Sequence, residues 1–155
     1  MVVQPDGKPV VVGYQSDSYP DGNDFLVMRY NTNGTLDTSF SGDGIQVTDF
    51  SGFYDGASAV ALQPDGKIVV GGHASTATGT SDTDHAVARY NADGSLDTSF
   101  GVGGKVTIDQ AGNSEQALAV TVDASACSPA NQVTARSAEA WASSEPSTSW
   151  RYCGM

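Results

Sequence analysis

Residues 61–72 read ALQPDGKIVVGG. Pro64 presets a turn φ and Gly66 supplies the positive φ that such a turn needs. The β-branched run Ile68–Val70 follows, so the stretch reads as strand, tight turn, strand. The same pentapeptide, QPDGK, occupies both 4–8 and 63–67, an offset of 59 residues. RYN recurs at 29–31 and 89–91, and GTLDTSF (34–40) returns as GSLDTSF (94–100), now offset by 60. One residue is therefore inserted in the loop before Asp84. The register then holds, pairing Asp49 with Asp109, Gly52 with Gly112, Ala57 with Ala117 and Val60 with Val120. The chain is a tandem repeat.

Each unit carries four strand signals. In the second they are ASAVALQ (57–63), KIVVGG (67–72), HAVARYN (85–91) and KVTID (105–109), separated by Gly-, Asp- and Asn-containing turns. Four short strands in about sixty residues form an antiparallel meander, the blade of a propeller. A β-helix is the other repeating β architecture, whereas a sandwich does not repeat its sequence. No sustained 3.6-residue period occurs in the first 123 residues, which argues against helix. The predicted fold class is all-β: two propeller-type blades, a fragment of a larger propeller, completed by oligomerisation and followed by an irregular tail. The expected divisions are 1–56 (first repeat, truncated at its start), 57–113 (second repeat), 114–123 (start of a third) and 124–155 (divergent tail).

ALQPDGKIVVGG and AVARYNADGSLDTSFG, with their first-copy counterparts, closely resemble the delta-60 repeat over residues 1–122. That unit is a β-propeller-type repeat found in tandem in large, mostly secreted bacterial proteins. The resemblance implies a fold and a secreted or cell-surface bacterial parent, not a reaction.

Both ends depart from the pattern. Met1 aligns with Val60, in the middle of a first strand. SEQALAVTV (114–122) opens a third repeat, but no QPDGK follows; the tail instead holds both Trp and both Cys. Codon degeneracy allows Thr134–Ser137 to be re-read in a shifted frame as Asp-Gly-Lys-Ile, and 148–155 as a strand like residues 24–30. A third blade translated out of frame and a Ser/Ala-rich linker are the two readings. The tail is expected to be disordered, or to cover an exposed face with Trp141, Trp150 and Tyr152 and a short helix over 137–145. A Cys127–Cys153 disulfide is a further option. Two blades leave sheet faces unpaired and repeat arrays generally need three or more units, so the expected partner is a second copy of the chain.

Composition narrows the function classes. A formal charge of −11, with 18 acidic and 7 basic residues, argues against nucleic acid. No apolar run approaches the ~18–20 residues of a membrane span, so no membrane partner is expected. The opening residues lack the basic and apolar regions of a signal peptide.

Three chemistries deserve weighing. His73 stands where the first repeat has Tyr14, and His85 where it has Phe25. They bracket the loop 74–84, and with Asp82 or Asp84 they form a donor set suited to zinc or another divalent ion, and hence to a metal-dependent hydrolase. The simpler reading is aromatic-to-His drift at strand ends. Asn91, Asp93 and Asp97 place oxygens at alternate positions and suggest calcium. An EF-hand is excluded, because glycine falls at the fourth position and Val102 stands at the twelfth. Asx-turn hydrogen bonding accounts for the same pattern. No G-x-S-x-G elbow is present, and Asp-Thr-Ser recurs in each repeat as a structural element, not as an aspartic-protease motif. Arg29 and Arg89 are expected to pair with Asp37 and Asp97. The leading reading is a structural or interaction module; its alternative is a metal-dependent hydrolase with a site around His73 and His85 or at a subunit interface.

Overall fold

The computed structural model describes residues 1–16, 22–50, 54–75, 83–108, 117–122, 132–137 and 149–153. Its first sheet has four strands, β1 (Val2–Val3), β2 (Pro9–Ser16), β3 (Asn23–Arg29) and β4 (Ile45–Thr48), antiparallel and in chain order. The second repeats this with β5 (Gly56–Leu62), β6 (Ile68–Ser75), β7 (Thr83–Tyr90) and β8 (Lys105–Ile108). The expected all-β meanders are therefore present, and the described residues contain no helix. The central hairpin of the second sheet runs further toward its loop than the sequence reading placed it, to Ser75 and from Thr83.

The turns follow their sequence. Gly7 and Gly66 adopt φ of 84° and 87° in the two PDGK turns, where each N–H donates to the carbonyl of Gln4 or Gln63. Asn23 bridges Tyr54 in parallel, so the segment entering the second sheet runs beside the start of β3.

Cross-strand register gives each sheet two distinct faces. On one face of the first sheet Val10 lies opposite Arg29, Val12 opposite Val27 and Tyr14 opposite Phe25. On the reverse face of the second, Ile68 lies opposite Tyr90, Val70 opposite Ala88 and Gly72 opposite Ala86. These two faces meet in one core of Val10, Phe25, Val27 and Phe40 against Ile68, Val70, Ala86, Ala88 and Tyr90, all fully buried. The other face of the second sheet carries Val69 and Val87, which pack with Phe100 and with Val120 of a further strand. Consecutive sheets thus stack front to back, as blades do.

That further strand is β9 (Ala117–Thr121), at the expected start of a third repeat. It pairs with β10 (Gln132–Ser137), which pairs with β11 (Ser149–Cys153), in an antiparallel sheet ordered β9-β10-β11. The tail, read from sequence as disordered or helical, supplies two strands. The helix read over 137–145 lies outside the described residues except for Ser137, which closes β10. Cys127, and with it the Cys127–Cys153 pairing, also lies outside them.

Candidate functional site

The buried polar groups of each blade belong first to the repeat motif. Arg29 Nε donates to Asp37 Oδ2 at 2.7 Å, and Lys8 Nζ to the same oxygen at 2.8 Å. Asp37 Oδ1 accepts from the Ser39 hydroxyl and amide at 2.7 and 3.1 Å. The second blade repeats the set: Asp97 Oδ2 accepts from Arg89 Nε at 2.7 Å and Lys67 Nζ at 2.6 Å, and its Oδ1 accepts from Ser99. The guanidinium groups lie over Phe40 and Phe100, at 4.8 and 4.7 Å from the ring centroids. The Lys8 ammonium, followed by the Ser39 hydroxyl, holds Asp37 well below the usual carboxylate range. Burial opposes this at Asp97, but the bonds from Lys67 and Ser99 and the charge of Arg89 prevail. A carboxylate with both oxygens committed in this way is a fold element, and the Arg–Asp pairing expected from sequence is present.

The oxygens considered for calcium are placed by the same logic. Asp93 Oδ1 accepts from the amide and hydroxyl of Ser95 at 3.0 and 2.6 Å, an Asx turn. Asn91 Nδ2 donates to Ser95 Oγ and Leu96 O. Asp97 is engaged by Arg89 and Lys67, so the three side chains serve the turn and the ion pair.

His73 and His85 are direct cross-strand partners, so their side chains share one face of β6 and β7. Asp84 pairs with Ala74 and faces the opposite side by strand alternation. Asp82 lies outside the described residues. His85 occupies the position of the buried Phe25 and is itself buried. His73 lies across Gly56: a Cβ on that glycine would stand 2.7 Å from its Cε1. Its Nδ1 is buried without a hydrogen-bond partner among the described residues. Burial pushes both imidazoles below their ordinary value of 6.5. Neutral, side-by-side rings on the face toward β9 fit packing chemistry well, and Asp84 does not join them in a common donor set.

A different cluster converges. Asp24 on β3, Asp49 just after β4 and Asp55 just before β5 each offer a carboxylate oxygen, all within 4.8 Å of one another. The Asp55 amide donates to Asn23 O at 2.7 Å, which draws the inter-blade segment to the start of β3. Asp55 Oδ2 accepts from the Phe50 amide at 2.7 Å. Its Oδ1 is buried without a hydrogen-bond partner among the described residues; the nearby Ser75 amide donates to Tyr54 O at 3.2 Å. Burial raises the Asp55 pKa, and the charges of Asp49 and Asp24 add to the rise, while the Phe50 and Ser75 amides oppose it. Sequence reading missed this trio because its members sit on three separate segments. The available signal was the repeat itself, since the 60-residue offset takes them to Asp84, Asp109 and Glu115.

No curated protein matches the chain. Residues 4–40 and 63–100, the two stretches that run from the QPDGK turn through LDTSF, match a family described as a domain of unknown function (DUF5122) β-propeller, which agrees with the stacked sheets in making the repeat a propeller-type blade.

Proposed function

We propose that the chain is a structural or interaction module of delta-60 type, one that associates with further copies of itself through its blade faces. The observation carrying this reading is the front-to-back packing of the first sheet on the second. The reverse face of the second sheet is covered by the front of the first. The same face of the first sheet carries the half-buried apolar side chains of Leu26 and Met28. A head-to-tail contact with another copy would cover it in the way the internal seam already demonstrates. The commitment of Arg29, Arg89, Asp37 and Asp97 to intra-blade bonding supports a scaffold role. The likeness to delta-60 repeats would place the parent protein on the bacterial surface or in the secreted fraction.

Sedimentation equilibrium of the full chain tests the association. A mass that is a multiple of 15.9 kDa is expected. A stable, folded monomer across the accessible concentration range contradicts the reading.

A further inference from the structure

We propose that Asp24, Asp49 and Asp55 form a calcium site that clamps the start of β3 to the segment leading into the second blade. Three observations carry it. The first is geometric. Calcium binds oxygens at about 2.3–2.6 Å, so two ligands on opposite sides of one ion stand roughly 5 Å apart. One oxygen from each carboxylate already falls within 4.8 Å of the others, before any ion draws them in. Calcium also accepts irregular coordination completed by carbonyls and water, whereas magnesium requires a near-ideal octahedron.

The second is the state of Asp55. It is 1% exposed, and its Oδ1 has no hydrogen-bond partner among the described residues. An acceptor taken out of water without compensation is costly, and two further carboxylates beside it add repulsion. The Lys105 ammonium lies close by, but it donates to the main-chain carbonyl of Asp49 at 2.8 Å and sits 5.5 Å from the Phe50 ring centroid. A divalent cation among the three carboxylates would supply the missing partner and offset their charge.

The third is internal to the sequence. The segment DFSGFYD (49–55) becomes DQAGNSE (109–115) in the next repeat. Phe50, Ser51, Phe53 and Tyr54 have all changed; the glycine and the acids at both ends remain. Asp24 likewise persists as Asp84 although its neighbours Asn23 and Phe25 have become Thr83 and His85. The side chains that persist through this divergence are the three that converge.

The test uses the full chain, stripped with a chelator and titrated with calcium chloride by calorimetry, with thermal unfolding followed in parallel. Saturable binding at or below about 1 mM calcium is expected, the range of extracellular calcium modules, with a rise in melting temperature. Asp49→Asn, at an exposed position that leaves the Phe50–Asp55 bond intact, is expected to remove one equivalent of bound calcium or weaken it at least tenfold. Asp93→Asn, in the Asx turn, leaves binding unchanged. Asp55→Asn is less decisive because it disturbs the Phe50 bond, so Asp24→Asn serves as the second variant. Absence of saturable binding by the stripped protein overturns the proposal. So does wild-type stoichiometry and affinity in both Asp49→Asn and Asp24→Asn, or loss of binding in Asp93→Asn alone.

Discussion

The blade seam makes a quantitative prediction through one hydrogen bond. Tyr90 OH donates to Thr48 Oγ1 at 2.9 Å, joining β7 of the second blade to β4 of the first. Tyr90 is fully buried and Thr48 is 4% exposed, so neither hydroxyl has ready access to water. Burial accordingly holds the phenol well above its ordinary pKa, and it remains a neutral donor at any physiological pH. Tyr90→Phe leaves the threonine oxygen without this donor, and Thr48→Val leaves the phenol without its acceptor. Each is expected to cost about 1–3 kcal/mol, because an orphaned buried group bears its whole desolvation penalty. The double variant replaces both polar groups by apolar ones of similar shape, which removes the orphan. It should therefore cost less than the sum of the singles by about 1–2 kcal/mol, well inside the range for residues in direct contact. The assay is equilibrium unfolding in urea at fixed protein concentration, with the m-values compared to confirm that all four proteins unfold through the same transition. Additivity within about 0.5 kcal/mol would refute the reasoning, since it would mean that the two hydroxyls do not meet across the seam.

Two further predictions use the repeat as its own control. Gly13 and Gly72 are equivalent positions, yet a Cβ at Gly72 would collide with the Gly56 carbonyl while one at Gly13 meets nothing within 4 Å. The cause is that β5 covers the second position, whereas β1 spans only Val2–Val3 and does not reach the first. Gly13→Ala should be neutral or stabilising by up to about 1 kcal/mol, and Gly72→Ala should destabilise by about 1–3 kcal/mol; equal Tm changes would contradict this. The second concerns pH. An imidazole whose pKa is lowered by folding binds its proton more readily in the unfolded chain, so stability is full above about pH 6.5 and falls as pH drops below it. Asp55, with its raised pKa, acts in the opposite sense at lower pH. His85→Phe, which restores the residue of the first blade, should flatten the loss of Tm between about pH 7 and pH 5.5; an unchanged slope would rule out the buried histidine as its source.

The fold was legible because hairpin turns write their requirements locally. Pro64, Gly66 and the Asn91–Gly94 turn each declare a backbone conformation within four residues, and the repeat states each one twice. The Arg–Asp pairs were legible for a related reason, being eight residues apart within one motif. The acidic trio was not. Its members come from a strand and from both ends of the inter-blade segment, and only the pairing of that segment with the start of β3 brings them together. Proximity in sequence also misled at His85 and Asp84, which are adjacent in the chain but on opposite faces of β7. In the tail, Gln132–Ser137 and Ser149–Cys153 carry no repeat motif; the first pairs with β9 and the second with β10, contacts that no local motif announces.

One property of the seam bears on how such chains lengthen. Arg29 Nη1 donates to Ala92 O at 2.6 Å, the Ser41 amide to Asp93 O at 2.7 Å, and Lys105 Nζ to Asp49 O. These three bonds across the seam end on main-chain oxygens, which every residue type possesses, whereas the Tyr90–Thr48 bond needs a matched pair of side chains. A newly duplicated segment therefore meets compatible acceptors whatever side chains it has since acquired. Drift at those acceptor positions is tolerated without matched changes on both sides of the joint; at Tyr90 and Thr48 the two sides have to change together.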